Sequence, residues 1–179
     1  MKKLRMEELG RISVEEFKQK EKLPVAIVLD NIRSLHNVGS AFRTSDAFKL
    51  EKIFLTGITG QPPHREIEKT ALGATSSVAW EYAEKTEDIL RILKEKEYTI
   101  IAIEQTSQSH ALDRFDPEPG KKYCLVFGNE VHGVSEGAIA LADMALEIPQ
   151  YGTKHSLNIS VCLGIVAWEF YKKLKVPGS

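Results

Sequence analysis

Five side chains combine the types and placement that chemistry needs: Asn37, Arg43, Glu130, Ser156 and Asn158. Each falls at the start of an expected helix or at the end of an expected strand. A guanidinium among amides, a hydroxyl and one carboxylate suits a polyanion held beside a small polar ligand, because the planar Arg fork meets oxyanions two oxygens at a time. Each also has a plainer reading. Asn37 could cap the helix that follows it, Glu130 could be a solvated loop acid, and Asn158 could satisfy a buried carbonyl. Other chemistries fail on what their motifs require. Residues 128–135 (GNEVHGVS) have the glycine spacing of a phosphate-binding loop, but Val134 stands where the phosphate-binding Lys must be. No GxGxxG follows the first expected strand, which disfavours a dinucleotide fold. No GxSxG elbow occurs. The histidines, His36, His64, His110, His132 and His155, are dispersed, and Cys124 and Cys162 lie in apolar runs with no CxxC, so no metal site is expected.

The elements that must position these residues follow from periodicity. Short, mainly apolar stretches at 25–29 (VAIVL), 52–55, 78–82, 98–103, 123–127 (YCLVF) and 144–148 read as strands, and a continuous run such as 25–29 as one buried on both faces. Between them lie expected helices at 41–48, 64–72, 86–96 and from 135 to before 143. Arg43 falls in the first turns of the helix over 41–48. The stretch 104–120 is long and polar and reads as a loop, a kind that is often functional in a compact domain. Alternating strands and helices of this kind mean an α/β fold, with a mostly parallel sheet covered on both faces. Ligands of such sheets bind at the carboxyl ends of the strands. The polar loops at 30–40, 128–135 and 150–155 leave those ends. The helix expected from Ser156 onward is apolar on nearly every face, which places it inside something. Ser156, Ser160 and Gly164 recur on it at four-residue spacing, a stripe where another backbone can come close. Residues 1–22 read as a helical appendage, with Ser13 and Glu16 spaced as a capping box, and 23–179 as one domain.

The chain has 179 residues, 42 % hydrophobic and 27 % charged, an ordinary balance for one domain with a real core. A net charge of −1 excludes a general nucleic-acid glue, so any nucleic-acid contact must use a local patch. The start, MKKLRMEELGR, lacks the apolar core of a signal peptide, and no run approaches the roughly 20 apolar residues of a membrane span. Reduced thiols in a cytoplasmic protein are the simplest reading of the cysteines.

Three stretches together are more specific than any of these features. HNVGSAFRTSDAF, LVFGNEVHGVSE and IPQYGTKHSLNISVCLGIVAWEF resemble, in order and spacing, the three motifs of the SpoU (TrmH-type) RNA ribose 2′-O-methyltransferases of the SPOUT superfamily. TALGATSSV resembles a fourth stretch of that family, with Thr75 where an acid is usual. The resemblance covers residues 25–171. It implies a SPOUT fold with a C-terminal trefoil knot, a homodimer with the last helix at its interface, and S-adenosyl-L-methionine held mainly by backbone groups. Carried over by motif, the cofactor positions are Ile103, Gly128, Ile148 and Leu157. The catalytic Arg is Arg43, accompanied by Asn37, Glu130, Ser156 and Asn158. The partner implied is RNA, which Arg33, His36, Arg65, Lys69, Lys154 and His155, in or beside the site loops, are placed to meet. The family pattern departs in two ways: no long basic C-terminal tail and no separate N-terminal RNA-binding domain are seen, which leaves tRNA and rRNA both open as target. Two other classes stay in view, a non-catalytic RNA-binding module and a small-molecule enzyme of the same fold.

Overall fold

The computed structural model describes residues 1–174. Seven strands form one sheet in the order β3-β2-β1-β6-β4-β7-β5, and every pairing is parallel. They are β1 (Leu23–Asp30), β2 (Leu50–Thr56), β3 (Trp80–Ala83), β4 (Tyr98–Ile103), β5 (His110–Ala111), β6 (Lys122–Phe127) and β7 (Met144–Glu147). The continuous apolar runs feed two cores, because successive side chains of a strand point to opposite faces. Val25, Ile27 and Leu29 of β1 enter one cluster, while Ala26 and Val28 enter the other. On the first face lie α1 (Val14–Gln19), α2 (Leu35–Ala47), α3 (Arg65–Ala71), α4 (Ala74–Ser77) and α7 (Ile159–Leu174). On the second lie α5 (Thr86–Glu95) and α6 (Glu136–Leu141). The N-terminal segment is tied down by α1, whose Ser13–Glu16 capping box forms as expected and whose Phe17 is buried in the larger cluster.

Several boundaries differ from the sequence expectation, each for a local reason. The seventh strand, β5, comes from the stretch read as loop. Only two residues long, it pairs with β7 at the sheet edge, too briefly to leave a periodic signature. Helix α2 starts six residues early, because the Ser34 hydroxyl accepts from Asn37 N and caps it there. Arg43 is therefore in the middle of α2, not in its first turns. Helix α3 ends on Leu72, left-handed at φ 50°, instead of on Gly73, which opens α4. The last helix begins at Ile159, so Ser156 and Asn158 precede it rather than occupying its first turns.

That helix is also less enclosed than its composition suggests. Leu163, Val166, Ala167 and Phe170 are buried against the sheet. Val161, Ile165 and Trp168 are 51, 40 and 48 % exposed, so a second apolar face looks outward. A Cβ added at Gly164 would meet nothing within 4 Å, and packing within the chain does not explain the small residue there.

Candidate active site

At the carboxyl edge of the sheet the register aligns Leu29 with Phe127, Phe127 with Ile103 and Ile103 with Leu146. One residue further along these strands stand Asp30, Gly128, Glu104 and Glu147. The loops that follow converge there, as expected for a parallel sheet. Buried Asp30 sets the spacing of two of them. Its Oδ1 accepts from Thr86 Oγ1 at 2.6 Å, and its Oδ2 accepts from Ser135 N at 2.8 Å, where the loop after β6 enters α6.

That loop is stitched by its own backbone. Asn129 N and Gly133 N exchange hydrogen bonds with each other's carbonyls, at 2.9 Å each, in an antiparallel bridge. Asn129 Oδ1 accepts from Val131 N and His132 N, and Asn129 Nδ2 donates to Asn31 O at 2.6 Å. A Cβ on Gly128 would sit 2.0 Å from Val134 N. The glycine is required by closure of the loop itself.

Glu130 joins the loop to the start of α2. It accepts from Arg33 N at 2.9 Å, Ser34 N at 3.0 Å and Asn37 Nδ2 at 2.9 Å. These are donors at and just before a helix N-terminus, where an anion is favoured. Partial burial pushes its pKa up, and the bonds from Arg33, Asn37 and Ser34 outweigh that, leaving Glu130 below the usual carboxylate range. An acid so held stays ionised at neutral pH and is a poor proton acceptor. Asn37 is itself buried, and its Oδ1 accepts from Asn158 Nδ2 at 3.3 Å. Asn158 caps α7: its Oδ1 accepts from Ser160 N at 2.9 Å, and its carbonyl accepts from Cys162 N. One chain of contacts, Glu130–Asn37–Asn158, thus crosses all three motif stretches. Asn158 does hold a helix end, but Asn37 does not cap α2, since Ser34 does and Asn37 lies in its first turn; the two amides hold each other.

Beside this chain lies a cavity of about 650 Å³, within the range of small-molecule sites. Ile103, Gly128, Ile148 and Leu157, separated by up to 54 positions in sequence, all line it, as do Glu130, Ser156 and Asn158. Its apolar wall includes Phe127 and Leu146. Its charged groups are Glu104, Glu130 and Glu147, with no Lys or Arg among the lining residues. Such a space suits a ligand with a flat apolar part and a positive charge. Burial pushes the thiol of Cys162, which also lines it, up to about 11, so this sulfur is neutral and no nucleophile at neutral pH.

The cations are placed differently. Arg43 is exposed, does not line the cavity, and makes no hydrogen bond or ion pair among the described residues. His36 Nε2 meets Glu66 at 2.7 Å, and Lys69 approaches the same carboxylate at 3.8 Å, so these two share one acidic partner. The side chains of Arg33, Arg65, Lys154 and His155 are exposed and unpaired among the described residues. His155 alone of the six lines the cavity. Sequence reasoning missed Asp30 and Asn129 as organisers of the site. It also missed Glu104 and Gln105, cavity-lining residues at the start of a polar stretch recognised only for its length.

Residues 24–168 match the sequence profile of the SpoU rRNA Methylase family. The chain is 30% identical over 162 residues to a tRNA (guanosine(18)-2′-O)-methyltransferase of Thermus thermophilus, covering 90% of this chain and 81% of that one. Among solved structures it is similar to a TrmH/SpoU tRNA modifying enzyme of A. aeolicus, with a TM-score of 0.79, 26% identity, and 89% and 81% of the two chains covered. It is also similar to an AdoMet-bound rRNA methyltransferase of Sinorhizobium meliloti, with a TM-score of 0.80, 26% identity, and 89% and 61% covered.

Proposed function

The chain belongs to the SpoU rRNA Methylase family, and from that premise we propose that it transfers a methyl group from S-adenosyl-L-methionine to a ribose 2′-hydroxyl of tRNA or rRNA. One observation carries this most directly. A single cavity gathers the backbone of the loops after β4, β6 and β7, and the Glu130–Asn37–Asn158 chain of contacts runs along its side. The cofactor's chemistry fits the space, since a sulfonium cation is welcome among three carboxylates with no competing Lys or Arg. When bound, it supplies an electrophilic methyl group.

The residues of this chain divide the remaining work. Ile103, Gly128, Ile148 and Leu157 form the cradle for the cofactor. Glu130 holds the start of α2 against the loop after β6. Ser156 and Asn158, just before α7, offer a hydroxyl and an amide to the ribose side of the cavity. Arg43 holds the phosphate next to the target nucleotide and stabilises the 2′-oxyanion as it forms, an electrostatic role for which guanidinium is suited. The exposed cations Arg33, Arg65 and Lys154, with Lys69 and the imidazoles of His36 and His155, give RNA phosphates a local patch on a chain of net charge −1. We read 23–179 as one methyltransferase domain with a trefoil knot in its C-terminal part, and 1–22 as an appendage to it. Family membership, and the insertion of β6 between β1 and β4, support the knot. A cytoplasmic setting accords with free Cys124 and Cys162. Among the described residues, no helix is long and apolar enough to cross a membrane.

The test is methyl transfer from labelled cofactor into RNA from cells lacking the gene, followed by mapping of the modified ribose. The expected product is RNase-sensitive and carries the methyl on a 2′-oxygen. Label in a nuclease-resistant small molecule, or none, would overturn the proposal.

The same reading makes the protein a homodimer, built on the outward face of α7 with Val161, Ile165 and Trp168. Gly164→Leu will weaken association about tenfold or more, since overfilling a close-packed contact costs about 1–3 kcal/mol. The fold of each protomer will be spared, because a side chain at Gly164 has open space around it. Light scattering across a dilution series checks this. A monomeric parent protein at micromolar concentration would sink it.

A further inference from the structure

The stretch after β4 opens with Glu104 and Gln105, and they reach in opposite directions across the cavity mouth. Glu104 Oε2 accepts from Val134 N at 3.0 Å, and its Oε1 accepts from Gln105 N at 2.9 Å. Gly133 makes room for the carboxylate. Its φ is 69°, and a Cβ there would sit 2.2 Å from Glu104 Oε2. Glu104 therefore fixes the end of the loop after β6. Gln105 Nε2 instead donates to His155 O at 3.0 Å, in the loop after β7. Among the described residues this is the one hydrogen bond between residues 150–157 and the rest of the fold. That segment supplies Gln150, His155, Ser156 and Leu157 to the cavity lining, and all its side chains from Tyr151 onward are exposed.

We propose that Glu104 and Gln105 are positioning residues for methyl transfer: Glu104 anchors the loop after β6, and Gln105 latches the loop after β7, so that cavity walls from separate segments keep one shape. Their role rests on the cavity being the cofactor site proposed above. The physical consequence is a matter of ordering. Without its latch, residues 150–157 visit more conformations, and a ligand must re-order them on binding, which lowers its affinity. Neither residue needs to touch the reacting atoms for this. The exposed amide of Gln105 makes the latch removable without disturbing either core.

Gln105→Met keeps the length of the side chain and removes the donor, while Gln105→Ala removes both. In cofactor-free protein, NMR backbone order parameters at 150–157 will fall in both variants and stay unchanged in the sheet; order is the readout because the latch is accepted by His155 O and protects no amide of the segment. By calorimetry, affinity for S-adenosyl-L-methionine and for S-adenosylhomocysteine will fall together by roughly 3–10-fold, the worth of one net hydrogen bond. Turnover at saturating cofactor will stay near that of the parent while the cofactor KM rises, a split that general destabilisation would not give. Glu104→Gln will quicken backbone amide exchange at 128–135 instead, because an amide cannot accept both N–H groups. Unchanged order parameters at 150–157 in the Gln105 variants overturn the latch, and lower order with unchanged affinity overturns its positioning role. A parent protein that binds neither cofactor form would overturn the cofactor assignment, while the order parameters would still decide the latch.

Discussion

Arg43→Ala and Arg43→Lys will each lose methyl transfer by about 10²–10³-fold in single turnover, the usual cost of removing one preorganised donor from a developing oxyanion, and both will bind S-adenosyl-L-methionine as the parent does. The two halves of this result have separate grounds. Cofactor binding is spared because Arg43 sits on an exposed face of α2 and is absent from the cavity wall. It also holds no other residue in place: among the described residues its guanidinium has no hydrogen bond or ion pair to lose. Turnover is lost because of what a 2′-hydroxyl demands. Negative charge builds on its oxygen as the hydroxyl proton passes to the adjacent RNA phosphate or to solvent, before the new bond to the methyl carbon consumes that charge, and nothing lining the cavity compensates for it. The cavity's own charges are carboxylates, and Glu130 is committed to three donors. Arg43 is the one guanidinium in the motif stretches, Lys154 being their other positive group, and an unpaired guanidinium is free to grip a phosphate and the forming oxyanion together. Lys offers one compact charge and no fork, so it will not rescue. Near-full rate in Arg43→Lys would refute the fork. Loss of cofactor affinity in both variants would make Arg43 a structural residue.

Strands β1 and β6 are legible because each carries an uninterrupted apolar run, β4 matches residue for residue, and the more polar β2, β3 and β7 are legible from the apolar residues within them. What escaped was decided by contacts distant in sequence or by single caps. Ser34 is visible as a cap only with Asn37 N in place above it, so the sequence alone places the start of α2 too late and Arg43 too near it. The opposite happened at α7. Ser156 and Asn158 look like a polar first turn, yet Asn158 is the residue that ends the loop, and its side chain turns to Ser160 and Asn37. The site residues were legible as types because the motif stretches are contiguous. Their partnerships were not. Glu130 and Asn37 are 93 positions apart, and Asn37 and Asn158 are 121 apart. Local spacing carries no record of such pairs. The outward apolar face of α7 shows the same limit in reverse: composition called for burial, and a single chain buries only half of it.

Glu130→Gln will cut turnover about 10²-fold, the scale of loss when a catalytic group is displaced by about 1 Å, with a stability loss near 1 kcal/mol once solvent screening of an exposed side chain is allowed for. The disproportion between the two effects is the point of the experiment. As an anion, Glu130 accepts from Arg33 N, Ser34 N and Asn37 Nδ2. An amide in its place presents one oxygen and one NH₂, and the NH₂ must face a donor. Either Asn37 or the chain before α2 is pushed away. Asn37 leads on to Asn158, so the shift reaches the residue that caps α7 and lines the cavity. The pH dependence gives an independent check. The folded-state pKa of Glu130 is lowered, so its contribution to stability is complete above the unfolded value of about 4.3 and is lost as pH falls through the folded value. Parent and Glu130→Gln will therefore differ in denaturant midpoint at pH 7 and converge in acid. If Glu130 were instead the base that takes the 2′-hydroxyl proton, the parent's rate would show a titration near neutrality that the variant lacks. A carboxylate held below its ordinary range will not give one, and the rate of the parent will not follow Glu130 at any pH where the fold is intact and this acid is fully ionised.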